Sequence, residues 1–102
     1  MTLTELEYYN ALNAQIGDLC DKLMSNKDLQ LVLETKSECD YRYWLANYNN
    51  TNNGVPILCW CYEKDKGNEN DICDIENWYD FREKVFELVT SGKVTEYYLE
   101  HI

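Results

Sequence analysis

The chain has 102 residues, of which 45% are apolar and 14% aromatic, and its 19 acidic against 9 basic residues give a net charge of −10. This length predicts a single domain, residues 1–102, which buries roughly 65% of its unfolded surface. So apolar a composition excludes a disordered acidic tail. The acidity disfavours direct binding to nucleic acids or anionic membranes and favours a basic partner, although solubility alone would also explain it.

The N-terminal sequence MTLTELEYYN lacks the basic start and apolar core of a secretory signal. No stretch approaches the roughly 18 apolar residues of a membrane span. We therefore expect a cytoplasmic protein. Its five cysteines are an odd number without a secretion signal, which predicts reduced thiols rather than a disulfide framework.

The first predicted element is a helix that ends near Met24. Thr2 and Glu5 have the spacing of a capping box, and apolar residues follow at helical intervals as far as Leu23. The outward face of this helix is mostly polar and acidic.

Three candidate strands follow, at residues 29–34, 41–48 and 55–63, where the composition becomes β-branched, aromatic and asparagine-rich. The first is the weakest, since residues 31–33 could equally extend a helix. The sequence NNTNNG at residues 49–54 predicts a tight turn, because asparagine and glycine tolerate left-handed backbone conformations. The second and third strands should therefore form a hairpin.

A second helix is predicted after the polar loop at residues 64–70. Asp71 or Asp74 would cap its start, and Gly92 would end it. The tail, residues 94–102, fits either a short helix capped by Thr95 or an edge strand, and we favour the helix. The predicted fold is thus α+β, with an N-terminal helix, a three-stranded antiparallel sheet, a C-terminal helix and a short tail helix.

The most informative pattern is a row of four carboxylates, Glu76, Asp80, Glu83 and Glu87. At about 100° per residue they fall within one helical stripe roughly 60° wide, opposite an apolar face. Like charges four residues apart cost about 0.2–0.5 kcal/mol per pair, and the helix dipole favours acids only near the N-terminus. Local stability therefore leaves Glu83 and Glu87 unexplained. The stripe is either an ordinary solvated face or a surface for a cationic partner.

Acidic and aromatic neighbours extend this hypothetical surface. Residues 67–81 contain no base, and the strand at 55–63 has apolar or aromatic residues on both faces. Either helices cover both sides of that strand, or its aromatic residues form an exposed patch; tyrosine and tryptophan are common interface anchors. The candidate partner-binding residues are Glu69, Asp71, Asp74, Glu76, Asp80, Glu83, Glu87, Trp60, Tyr62 and Tyr79.

Metal and catalytic sites are poorly supported by the sequence. Cys59 and Cys61 with Cys73 and His101 suggest zinc, but a C-x-C pair on a strand lacks the knuckle spacing of zinc sites, which favours buried thiols. Residues 65–76 match an EF-hand loop in length but not at its third and sixth positions. With one histidine and no phosphate-binding loop, we expect neither an enzyme nor a cofactor.

An interaction protein with a basic target is the function that these features favour. The sharpest version is a DNA mimic that occupies the nucleic-acid site of an enzyme. In size, charge and expected layout the chain resembles the small acidic inhibitors that phages encode against nucleic-acid enzymes, including anti-CRISPR, antirestriction and uracil-DNA glycosylase inhibitor proteins. This resemblance implies an inhibitor of a nucleic-acid enzyme that acts in the host cytosol, and it assigns no residue. Within the group, an anti-CRISPR inhibitor of a Cas effector is our first expectation. The alternatives are an immunity protein against a basic nuclease toxin and a small acidic regulatory protein without mimicry.

Overall fold

A computed structural model of the chain describes residues 2–37, 40–61 and 75–102. Its elements are α1 (Leu3–Ser25), β1 (Leu29–Ser37), β2 (Asp40–Ala46), β3 (Thr51–Asn52), β4 (Val55–Pro56), β5 (Cys59–Cys61), α2 (Trp78–Thr90) and β6 (Glu96–His101). This is the predicted α+β class, with a larger sheet than the sequence suggested. No helix in these described ranges is long and apolar enough to cross a membrane.

Helix α1 begins where the sequence predicted. The Oγ1 of Thr2 accepts a hydrogen bond from the backbone N–H of Glu5 at 3.1 Å, which satisfies one of the unpaired donors of the first turn. Leu12, Ile16 and Leu23 are buried on the side that faces the sheet. The capping residue and the apolar spacing therefore fix both the start and the orientation of this helix.

The four-stranded antiparallel sheet has the order β5-β2-β1-β6. Strand β1 lies in its interior, and Leu31, Val32 and Leu33 are completely buried, so the weakest of the predicted strands is a central one. The predicted tail helix is wrong: residues 96–101 form β6, with Leu99 opposite Leu31. The physical reason is the edge of β1 that β2 does not cover. Without β6, the backbone N–H and C=O groups along that edge would have no partners in the sheet.

The predicted hairpin is confirmed as a pairing of β2 with β5, in which Trp44 lies opposite Trp60. The predicted third strand is not continuous, however. Its first part, β4, pairs with β3 in a separate two-stranded ribbon, closed by Asn53 and Gly54 with φ angles of 54° and 78°. These left-handed angles are the ones that the asparagine–glycine turn predicted. The break follows Pro56, which has no N–H to continue a ladder.

The two faces of the sheet are buried differently. Both helices pack on the face that carries Leu31 and Leu33, and these residues join α1 and α2 in the main core. The opposite face has its own buried cluster of Val32, Leu45, Cys59 and Cys61, to which no residue of α1 or α2 belongs. The alternative that helices cover both sides of the sheet is therefore wrong for the two described helices.

Candidate functional site: the acidic face of α2 and the groove beside α1

The start of α2 is fixed by two side-chain hydrogen bonds to backbone N–H groups. The Oδ1 of Asn77 accepts from the N–H of Asp80 at 2.9 Å, and the Oδ2 of Asp80 accepts from the N–H of Glu76 at 3.4 Å. This arrangement is close to a capping box. Asn77 rather than Asp71 or Asp74 is thus the N-cap, and Glu76 precedes the helix instead of belonging to its acidic stripe. The acidic residue at position 80 therefore has a local role in capping the helix.

The end of α2 agrees with the sequence. The helix stops at Thr90, Ser91 is the C-cap, and Gly92 follows with a φ of 80°, in the left-handed region that glycine adopts without strain. Phe81 and Val85 are completely buried, so the apolar side of α2 lies against the core and its acidic side remains outside.

Glu83 and Glu87 have local partners within α2 itself. The hydroxyl of Tyr79 donates to Oε1 of Glu83 at 3.1 Å, and Nζ of Lys84 lies 3.4 Å from Oε1 of Glu87. The hydrogen bond to Glu83, together with its negative charge, raises the pKa of Tyr79. Exposed contacts of this kind contribute little to stability. The prediction that nothing local explains the two glutamates is therefore corrected, although neither contact removes them from solvent.

The side chains of this face remain available to a partner. Tyr79 keeps 68% of its surface exposed and the side chain of Glu87 keeps 71%. Between them and α1 lies a groove of about 780 Å³, lined by Tyr9, Asn10, Asn13, Tyr79, Arg82, Glu83, Phe86, Glu87 and Thr90. Three of the predicted site residues, Tyr79, Glu83 and Glu87, are thus brought together on one rim.

A glycine in α1 shapes one end of this groove. Gly17 lets Arg82 lie across α1, where its guanidinium group donates to the carbonyl of Asn13 at 3.4 Å. A Cβ on Gly17 would lie 2.9 Å from the guanidinium carbon, so any larger residue would displace this side chain. The other end is aromatic, because the rings of Tyr9 and Phe86 lie 6.3 Å apart.

The groove residues of α1 were not among the predicted site residues. A signal existed in the adjacent pair Tyr8 and Tyr9, since on a helix one of them must point away from the other. Tyr8 is 61% exposed, whereas Tyr9 is half-buried against Phe86. The basic residue at position 82 also escaped notice as a groove residue, because its role depends on the absence of a side chain at Gly17.

The remaining predicted site residues do not join this groove. Trp60 lies in β5, half-buried and 4.9 Å from Trp44 between ring centroids, at a different cleft of the molecule. Tyr62, Glu69, Asp71 and Asp74 lie outside the described residues, as does most of the segment compared with an EF-hand loop.

Three cysteines in the described part of the chain, Cys20, Cys59 and Cys61, are buried free thiols. Burial raises the pKa of Cys20 to about 11, against the opposing charge of Arg82. Burial also raises the pKa of Cys59, and a hydrogen bond from Asn50 acts in the other direction. Cys20 and Cys59 therefore stay protonated near neutral pH, and all three buried thiols pack as small apolar groups. Residues 2–37, 40–61 and 75–102 contain no cluster of three or more potential metal ligands.

Comparisons with known proteins give no indication of function. No protein-family model matches this chain, and neither a search of curated proteins nor a search of solved structures found a match.

Proposed function

We propose that this protein is an acidic inhibitor that binds a basic nucleic-acid-binding enzyme through the exposed side of α2 and the adjoining groove. The observation that carries the proposal is the common rim formed by Tyr79, Glu83 and Glu87, where two carboxylates stand beside a largely exposed aromatic ring. Tyrosine is an effective interface anchor, and carboxylates pair with the arginines that nucleic-acid-binding enzymes present. Within this class, an anti-CRISPR protein that blocks a Cas effector is the specific function we propose.

The spacing of the carboxylates is compatible with DNA mimicry on a short scale. Glu83 and Glu87 are four residues apart in α2, which is about 6 Å along the helix axis. Two phosphate steps of one DNA strand cover about 7 Å of axis. Because Glu76 precedes the helix and Asp80 caps it, the mimicking row on α2 is reduced to these two residues, and Tyr79 supplies contact area beside them.

Net charge supports the same kind of partner. A charge of −10 on 102 residues gives the molecule a strong negative field. Such a field accelerates the encounter with a basic surface and makes the association rate fall with added salt. A partner that binds at this rim should therefore be captured at low salt and released at high salt.

Affinity capture from bacterial lysate tests the proposal. The informative variant is the double substitution Glu83→Gln and Glu87→Gln, which removes two charges without touching the cap formed by Asn77 and Asp80. The control is Asp28→Asn with Glu96→Gln, which removes the same charge from two exposed residues that do not line the groove. The captured proteins are then identified and challenged with double-stranded DNA.

The wild type and the control variant should capture a basic nucleic-acid-binding enzyme. The variant with Glu83→Gln and Glu87→Gln should not capture it. DNA should compete for the captured enzyme, because the proposal places both at one site. Equal capture by both variants, or capture that DNA does not affect, would contradict binding by mimicry at this rim.

A further inference from the structure

A second cleft has the opposite chemistry to the acidic groove. It lies at the end of the sheet, beside the last turn of α2, and has a volume of about 720 Å³. Pockets that bind small molecules fall between about 300 and 1,000 Å³. The described lining residues are Thr35, Lys36, Arg42, Trp44, Trp60, Leu88, Gly92, Lys93, Val94 and Thr95.

The charge of this lining departs from that of the whole chain. The chain has 19 acidic and 9 basic residues, yet three of the nine basic ones line the cleft and its described lining contains no carboxylate. Lys36 and Lys93 are exposed, and Arg42 is half-buried. Lys36 and Arg42 also interact with other groups of the protein, so an incoming anion would add to or exchange with those contacts.

An aromatic wall stands beside these cations. Trp44 and Trp60 occupy opposite positions of β2 and β5, are both half-buried, and meet at an interplanar angle of 57°. The guanidinium carbon of Arg42 lies 5.6 Å from the centroid of the Trp60 ring. Planar rings such as nucleobases stack on aromatic side chains, and arginine adds a cation–π contribution.

Neutral donors contribute little to the recognition of an anion in this cleft. The hydroxyl of Thr35 donates to the carbonyl of Arg42 at 3.4 Å, and that of Thr95 donates to the carbonyl of Glu34 at 3.1 Å. Binding of an anion therefore depends on Lys36, Arg42 and Lys93, whereas Leu88 and Val94 add apolar surface.

We infer that this cleft binds a small ligand that combines a planar aromatic ring with an anionic group, as a nucleoside monophosphate does. The ring would pack on the tryptophan wall and the anion would lie among the basic side chains. A small ligand fits better than a polymer, because the net charge of −10 repels a polyanion along the rest of the surface. This site is separate from the groove between α1 and α2 and does not depend on the function proposed for it.

Titration of the full chain with adenosine 5′-monophosphate, followed by NMR of the tryptophan indole N–H groups, tests the inference. Trp78 is an internal control, since it lies near Cys20 and Met24 at another pocket. We expect the signals of Trp44 and Trp60 to shift in a saturable way and that of Trp78 to stay unchanged, with a dissociation constant below about 1 mM. Adenosine and ribose 5-phosphate, which each lack one half of the ligand, should bind more weakly.

The variant Lys93→Gln should weaken binding about tenfold, the loss expected when a charge-assisted hydrogen bond to the anion is removed. Lys93 is exposed, so this change leaves the fold intact. The matched control is Lys22→Gln, which removes the same charge from α1, where Lys22 pairs with Asp18 at 2.9 Å. Absence of saturable shifts, equal binding of ribose 5-phosphate, equal affinity of both variants, or tighter binding of a single-stranded oligonucleotide would overturn the inference.

Discussion

The substitution Asn77→Ala should destabilise the protein measurably. It removes the oxygen that accepts from the N–H of Asp80 at 2.9 Å and leaves that donor without its partner in the first turn of α2. Loss of such a cap costs about 1 kcal/mol, within a range of about 0.5–2 kcal/mol. The effect reaches the core, because the next turns of the helix bury Phe81 and Val85 completely.

For a domain of this size, about 1 kcal/mol corresponds to a fall of roughly 4–8 °C in the melting temperature. Thermal unfolding followed by circular dichroism measures it. The control is Asn10→Ala, the same chemical change at an exposed position in the middle of α1. It should not destabilise the protein, because alanine gains up to about 0.7 kcal/mol of helix propensity over asparagine there. If Asn77→Ala melts within about 1 °C of the wild type, a shift well below the one expected here, the assignment of Asn77 as the N-cap is refuted.

Three further predictions concern the core and the helix contact. Burial raises the pKa of Cys20 to about 11. The unfolded chain releases this proton at a lower pH than the folded protein does, so ionisation of the thiol destabilises the fold. Between about pH 9 and pH 11 the wild type should therefore lose on the order of 2 kcal/mol of stability that Cys20→Ala does not lose, as measured by urea unfolding. Gly17→Ala gains about 1 kcal/mol of helix propensity. A Cβ at position 17 would lie 2.9 Å from the guanidinium group of Arg82, so the gain should be larger in an Arg82→Ala background. Equal gains in the wild-type and Arg82→Ala backgrounds would contradict this contact. Leu33→Ala, at a fully buried position, should cost about 2–5 kcal/mol in the same assay.

Local signals predicted much of the fold correctly. The capping pair Thr2 and Glu5 and the helical spacing that follows gave α1, and the asparagine–glycine turn gave the left-handed residues Asn53 and Gly54. In each case the cause lies within a few residues of the chain, where propensity and hydrogen bonding act directly.

The errors arose where distant residues decide the structure. The tail EYYLEH has no strong period of its own, and it becomes a strand because β1, about 60 to 70 residues earlier in the chain, offers an open edge. The start of α2 was misplaced for a different reason. Asp71 and Asp74 fit a cap by residue type, but Asn77 accepts from the N–H of Asp80 and Asp80 accepts from the N–H of Glu76, a spacing that is visible in the sequence.

The candidate site was only partly visible for similar reasons. Glu83 and Glu87 were identified from their charge and spacing, which can be read along a single helix. The groove beside them needs Tyr9 and Gly17 from α1, and no pattern within α2 could supply those residues. The partners of the two glutamates, Tyr79 and Lys84, lie three or four residues away and were within reach of the sequence.

The most direct test of the central proposal is competition between DNA and this protein for the enzyme that it captures. Binding of that enzyme to labelled double-stranded DNA should fall as wild-type protein is added, and the inhibition should weaken steeply with salt. The variant Glu83→Gln with Glu87→Gln should compete poorly, whereas Asp28→Asn with Glu96→Gln should compete like the wild type. Equal competition by both variants, or DNA binding that the wild-type protein leaves unchanged, would contradict a role for the acidic rim of α2.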